Sequence, residues 1–347
     1  MKKTITRYGI LIFLLITTLW IVLSNENVSN FPKLLAQTNP YILMIGFIGM
    51  IGYWIVDALI IREISKMLFV HNNFLKSMKL TFIGQYYSLI TPFASGGQPA
   101  QIYSMIKDGV SLGKSTSILI EKFIIYQVIV TMYSIFMFII KMGFVYEHIK
   151  TSLIFIWIGI FLNFIGLLSI FLLFFNGKFL RKIIKWSLSI LIRFKHIDNI
   201  QKYEQKIEGI IKEYEESLKK IRENKKITLK ISFMTILQLT FYFSITYWIY
   251  RSLGLGNVSC LDITAIQALL YMAVSFIPTP GTVGSSEGGF YLLFHMFFGV
   301  QKVTYAMLLW RIIVYYFNLF ICGVVTLIDY MMNKKTQVSK IGKETNL

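Results

Sequence analysis

Leu80-Thr81-Phe82-Ile83-Gly84-Gln85-Tyr86-Tyr87-Ser88-Leu89-Ile90-Thr91-Pro92-Phe93-Ala94-Ser95-Gly96-Gly97-Gln98-Pro99 starts like a membrane-crossing helix and stops too soon. At helical rise its apolar part, Leu80 to Phe93, covers only about 21 Å of the ~30 Å hydrocarbon core before the Gly/Pro-rich end. A second stretch, Ile263 to Ile277, is equally short and runs into Pro278-Thr279-Pro280-Gly281. Around them lie full-length apolar blocks: Tyr8 to Leu23, Tyr41 to Ile61, Ser117 to Ile140, Thr151 to Phe175, Leu229 to Tyr250 and Val303 to Met331. The order is span, span, broken segment, span, and then the same four again.

The whole composition agrees with a bilayer as solvent. Of 347 residues, 55% are hydrophobic and 15% charged, and mean hydropathy is +0.62, which excludes a water-soluble globule of this size. Only helices or closed barrels satisfy every backbone N–H and C=O in lipid, and the alternation of barrel strands is absent. The expected fold is an all-α integral membrane protein with about six full transmembrane helices and two re-entrant broken segments.

A net charge of +18 raises the question of nucleic acid, and its distribution answers it. Residues 1–7, 62–79, 98–116, 176–230 and 333–347 carry +18 between them, whereas 24–40, 141–150, 251–262 and 300–302 carry only +2. This segregation is the positive-inside rule, so the first set is cytoplasmic, both termini included, and nucleic acid is not an expected partner. The expected location is the plasma membrane, with a basic inner face that attracts anionic lipid. The first broken segment is flanked by inner loops and the second by outer ones, so the two should enter from opposite sides. That is an inverted repeat, with halves 1–150 and 151–332 of one membrane domain, 1–332, followed by a basic tail, 333–347. Laid together without gaps, Thr91-Pro92 to Tyr103 and Thr279-Pro280 to Tyr291 share Thr, Pro, one Gly (Gly96 and Gly284) and Tyr. Paired interrupted segments of this kind point to a substrate site near the midplane.

The charged insert 176–228 reads as cytoplasmic helix, with Glu208 and Lys212, then Glu215 and Lys219, at i, i+4 spacing. Within it, Phe179 to Phe194 either lies in the membrane interface or belongs to a solvated connector. Lys2, Lys3 and Arg7 before an apolar run look like a secretory signal, but Ser24-Asn25-Glu26-Asn27-Val28 offers no small-x-small cleavage site, so a retained first span is expected.

Motifs for soluble chemistry fail on spacing. Asp108-Gly109-Val110-Ser111-Leu112-Gly113-Lys114-Ser115 has three residues between its glycines where a phosphate loop needs four. His71, His148, His196 and His295 lack metal-ligand spacing, and Cys322 reads as a small packing residue. No catalytic set, metal or cofactor is expected. The informative groups are charges at membrane depth, which cost roughly 2.5 to 3.5 kcal/mol at the bilayer centre. Arg311 lies eight residues into the last span, and Glu287 sits in Gly284-Ser285-Ser286-Glu287-Gly288-Gly289. They form either a structural ion pair, a ligand contact or both. Glu121 and Lys122 either snorkel to the inner face or point inward, Asp57 beside Arg62 reads as an interfacial charge, and Gly46, Gly49 and Gly52 make a helix-packing face.

Thr91-Pro92-Phe93-Ala94-Ser95-Gly96-Gly97-Gln98-Pro99, then Glu121, then Pro278-Thr279-Pro280-Gly281 with Glu287-Gly288-Gly289 and Arg311, resemble the lysylphosphatidylglycerol synthase transmembrane region, the flippase portion of the multiple peptide resistance factor and its stand-alone relatives. The resemblance covers essentially the whole chain; the family usually has a second glycine where Thr282 stands here. It implies translocation of aminoacylated (lysyl-) phosphatidylglycerol or a related polar lipid, and with it resistance to cationic antimicrobial peptides. Full-length relatives also carry a soluble synthase domain, which this chain is expected to lack. The expected partners are therefore an anionic or aminoacylated phospholipid and a separate synthase protein, with room for a homo-oligomer. The expected headgroup site is formed by Gly96, Gly97 and Gln98 of the first broken segment, Pro280, Gly281 and Glu287 of the second, and Glu121 and Arg311. Arg311 would face phosphate, and Glu121 and Glu287 would suit a cationic aminoacyl group. The alternatives are an intramembrane enzyme on lipid-linked substrates, or a partner subunit of phosphatidylglycerol lysyltransferase or of another lipid-linked pathway.

The charge pattern predicts sidedness. In a background lacking Cys260 and Cys322, single cysteines at Asn30 and Asn257 should react with an impermeant reagent in intact cells, and those at Lys107 and Lys212 should not. Labelling at Lys107 contradicts the turned-back first segment.

Overall fold

A computed structural model describes residues 31–149, 153–175, 200–275 and 277–344, and within them every regular element is a helix. After the short α1 (Phe31–Gln37), α2 (Pro40–Met67) begins where Asn39 accepts the N–H groups of Tyr41 and Ile42 and proline takes the first turn. Asn73 caps α3 (Phe74–Leu89), a 3-10 turn follows at Pro92–Ala94, and α4 covers Gly97–Lys107. Ser111 caps α5 (Leu112–Ile140), with α6 (Met142–Ile149) and α7 (Leu153–Phe175) after it. The second part runs α8 (Ile200–Glu223), α9 (Lys225–Ser252), α10 (Cys260–Val274), a 3-10 turn at Pro280–Thr282, and α11 (Ser285–Phe298). Its last helix is continuous, from α12 (Val300–Arg311) through a π-helical stretch, Ile312–Phe317, into α13 (Asn318–Glu344).

Among the described residues, Pro40–Met67, Leu112–Ile140, Lys225–Ser252 and Val300–Met332 are long and apolar enough to cross a membrane. Each overruns the span expected from sequence, because capping residues and amphipathic ends extend the helix past its apolar centre. α7 carries a shorter apolar stretch, Trp157–Leu168. The expected first span and the 179–194 interface segment lie outside the described residues. Met44, Ile48, Phe136, Phe161 and Leu327 are among many large apolar side chains left exposed, as a lipid-facing surface requires.

The two short apolar segments turn out to be first arms of helical hairpins. α3 starts at Phe74, six residues before the apolar run, and α4 packs back along it, with Gln101 Nε2 donating to the Leu80 carbonyl at 2.9 Å. At the open end, Lys79 meets Asp108 at 3.1 Å. α10 and α11 form the second hairpin.

Packing of the two parts is reciprocal. α2 lies along α9; α3 packs on α2 and on α13, while α10 packs on α9 and on α5. The two 3-10 turns touch each other. They also share one backbone conformation: Phe93 has φ 54 and ψ 18, Gly281 has φ 59 and ψ 20, and the next residues, Ala94 and Thr282, stay left-handed at φ 53 and φ 54. This is the register in which Thr91-Pro92 was laid on Thr279-Pro280. Cross-links between the parts follow the same exchange, Lys79 to Asp329 at 3.3 Å and Lys141 to Asp262 at 2.9 Å.

The glycine face of α2 makes its contact with α9 possible. A Cβ at Gly49 would lie 3.3 Å from the Phe241 carbonyl oxygen, and one at Gly52 would lie 3.2 Å from the Phe241 ring. Gly49→Leu is expected to lower stability in detergent by about 1–3 kcal/mol through overpacking, and Met44→Leu on the exposed side to leave it unchanged. Equal melting of wild type and Gly49→Leu contradicts this packing role.

Candidate functional site

The second turn is built from residues that cannot continue a helix. Thr279 is extended, as the residue before proline must be, and Gly281 and Thr282 are both left-handed. Gly281 has no alternative: besides its φ of 59, a Cβ there would overlap the Tyr315 ring. Thr282 is a β-branched residue in a conformation suited to glycine.

The carbonyls released by this turn are met by Arg311. Its Nη1 donates to Gly281 O at 3.1 Å, its Nη2 to Thr282 O at 3.3 Å and also to Ser286 Oγ, and its Nε to Glu287 Oε1 at 2.7 Å. The other Glu287 oxygen accepts the Gly284 N–H at 2.7 Å, at the start of α11, where the helix dipole favours an anion. Both charged residues are 3% exposed. Trp310 and Tyr315 flank the guanidinium, with ring centroids 5.2 and 5.4 Å from Cζ. The result is an electrically matched clamp with four of five guanidinium N–H groups directed to protein acceptors.

Beside the clamp lies a cavity of about 650 Å³, bounded by Phe93, Ala94 and Ser95 of the first turn, by Thr279, Gly281 and Thr282 of the second, and by Arg311. The rest of its wall is rich in tyrosines and amides. Tyr126 and Tyr271 join through their hydroxyls at 3.0 Å, and the rings of Tyr53 and Tyr242 lie 5.4 Å apart. Gln127 Nε2 donates to Asn163 Oδ1 at 3.1 Å. Gln85 donates to Tyr53 OH at 3.1 Å, and Asn318, which accepts from Trp54 Nε1 at 3.1 Å, reaches Gln85 at 3.4 Å, so one network joins the first hairpin to α2 and to the last helix.

An adjoining recess of about 130 Å³ holds Asp57 and Lys122. Asp57 is 2% exposed and fully engaged: Lys122 Nζ at 2.7 Å, Thr81 Oγ1 at 2.8 Å and Gln238 Nε2 at 2.9 Å all donate to it. The reading of Asp57 as an interfacial charge is therefore corrected. It lies ten residues before the end of α2, and partners on three other helices enclose it. Among the described residues, no three His, Cys, Asp or Glu side chains gather to hold a metal.

The predicted site residues are only partly brought together. Gln98, Gly281 and Arg311 line the large cavity, and Gly97 the recess. Glu287 lies behind Arg311, and Pro280 shapes the turn without lining the cavity. Gly96 donates its N–H to Thr91 Oγ1 at 2.9 Å, ordering the first turn. Glu121 is buried on α5 but lines neither space. Sequence reasoning missed the Asp57–Lys122 pair and the Tyr, Gln and Asn wall. A cue was present, since Gln85, Gln127, Asn163, Gln238, Gln267 and Asn318 all interrupt apolar segments.

The family described as the lysylphosphatidylglycerol synthase TM region matches residues 7–322, most of the chain. A UPF0104 membrane protein of Archaeoglobus fulgidus is 24% identical over 298 residues, covering 83% of this chain and 86% of its own length.

The clamp makes a stability prediction. Arg311→Gln or Glu287→Gln alone strands a buried charge and should cost roughly 3–5 kcal/mol, while the double variant should recover much of that loss. Gly281→Ala should destabilise by at least about 2 kcal/mol, from left-handed strain and overlap with Tyr315. Thermal denaturation in detergent measures all four, and strictly additive losses at Arg311 and Glu287 would contradict the pairing.

Proposed function

The chain belongs to the lysylphosphatidylglycerol synthase TM region family, and from that membership we propose that it binds a polar lipid by its headgroup and carries it between leaflets. In this reading the chain is an inverted repeat of halves 1–150 and 151–332. The hairpins α3–α4 and α10–α11 enter the bilayer from opposite sides, and their turns meet near the midplane. The headgroup occupies the cavity between them while the acyl chains stay in lipid. Aminoacylated phosphatidylglycerol, which the family description brings to mind, is the first candidate cargo, and a lower negative charge on the outer leaflet, with resistance to cationic peptides, is the expected consequence.

One observation carries the proposal: two non-helical turns from different parts of the chain line one cavity, whose wall also carries tyrosine, amide and hydroxyl groups. Non-helical backbone at membrane depth is tolerated where it is buried in protein or lines a water-filled space, and transporters place their sites at such interruptions. The volume falls within the roughly 300–1,000 Å³ usual for a small-ligand site. Arg311 contributes mainly by holding the second turn open towards the cavity, with one N–H left over for a ligand.

Transport in liposomes tests this. Purified wild type should speed the exchange of labelled phospholipid between leaflets. Gln98→Trp, which fills the cavity without touching the clamp, should fold and melt like wild type yet abolish the exchange. A folded Gln98→Trp with wild-type rates, or a wild type that moves no lipid, overturns the proposal.

A further inference from the structure

The cavity wall is chemically one-sided in a way that bears on its cargo. Among its described lining residues there is no carboxylate and no lysine. Its one charged residue, Arg311, is already matched by Glu287. The ion pair in the neighbouring recess is matched too, because Thr81 and Lys122 take one Asp57 oxygen and Gln238 takes the other. An ammonium group entering this space would give up its water and meet no unmatched anion; only tyrosine faces would offset the loss.

Uncharged polar groups are what the wall offers instead. Ser88, Ser95, Gln127 and Asn163 bring hydroxyls and amides to it. Amides and hydroxyls present both donors and acceptors, which a hydroxyl group matches fully and an ammonium, having no acceptor, matches only in part. Gln98, also in the wall, directs no side-chain hydrogen bond to a described residue. Tyr53, Tyr126, Tyr242 and Tyr271 add flat faces beside these groups, a surface suited to the C–H face of a sugar or polyol.

We infer that the headgroup this cavity takes is uncharged and polyhydroxylated, a glycosyl or glycerol group, and not an ammonium-bearing one. The inference rests on the lipid-carrying role proposed above and deepens it by naming the substrate class, in place of the aminoacylated cargo that the family description brings to mind.

The experiment compares three fluorescent lipids with identical acyl chains, a glycosyl diacylglycerol, phosphatidylglycerol and lysyl-phosphatidylglycerol. Each is followed for leaflet exchange in phosphatidylcholine vesicles containing the full chain, and for its effect on the melting temperature of the protein in detergent. Glycosyl lipid should exchange fastest and stabilise most. Gln98→Leu, which removes a hydrogen-bonding amide from the wall, should slow it by about ten-fold while leaving lysyl lipid as slow as before. If lysyl-phosphatidylglycerol exchanges as fast as the glycosyl lipid or faster, the inference is overturned and the carrying role stands. If no lipid exchanges but the glycosyl lipid alone raises the melting temperature, the inference stands and the carrying role falls. If the protein neither moves nor prefers the glycosyl lipid, both are overturned.

Discussion

Where a chain leaves the helix away from water, its carbonyls need other donors, and Arg311 is the donor on which the second turn depends. Gly281 O and Thr282 O both end on its guanidinium, and Glu287 neutralises the charge that this brings into the interior. The rest follows from that arrangement. The turn is held at a fixed distance from the last helix, α11 starts where Glu287 can cap it, and the cavity wall keeps its shape without a mobile counter-ion. A guanidinium suits the task better than an ammonium because its planar fork reaches two carbonyls, a hydroxyl and a carboxylate at once.

The first turn solves the same backbone problem with different chemistry. Thr91 Oγ1 donates to Tyr87 O at 2.6 Å and accepts the Gly96 N–H, so a local side chain does most of what the arginine does at the other turn. Phe93 occupies its left-handed position without glycine and is 60% exposed. Two turns with one conformation are thus held by different bonds: one by an arginine from the last helix, the other by a threonine within its own hairpin. The chemistry of the cavity is correspondingly asymmetric, with the ion pair on one turn and neutral groups, Ser95 and Gln98, on the other.

Much of this architecture was legible in the order of residues, for reasons that can be named. Apolar length and Pro/Gly interruptions report directly on helix geometry, so the breaks at Pro92 and Pro280 were found, and the Thr-Pro register chosen from sequence reappears in matching dihedral angles. The Glu287–Arg311 pair was legible because isolated charges in apolar segments need partners. Asp57 was misread because Arg62, close in sequence, placed it at the charged inner end of its span, while Lys122, Thr81 and Gln238 come from helices that only the tertiary fold brings near. The start of α3 at Phe74 was missed because the amphipathic residues Lys76 and Lys79 hide helix behind polarity. The uncharged wall of the cavity stayed unread, since a glutamine or tyrosine in an apolar segment carries no charge to demand an explanation.

The reciprocal packing of hairpins and final helices also sets an order of assembly. Asn318, which links Trp54 and Gln85, is 233 residues downstream of Gln85. At roughly 5–20 residues per second of synthesis, the first hairpin waits about 10 to 50 s for the helix that completes its polar contacts. During that interval Gln85, and Lys79 facing the site later filled by Asp329, belong to a half-built structure in the membrane. The first hairpin therefore spends most of synthesis with part of its polar surface unmet, and is fully enclosed only when the last helix arrives.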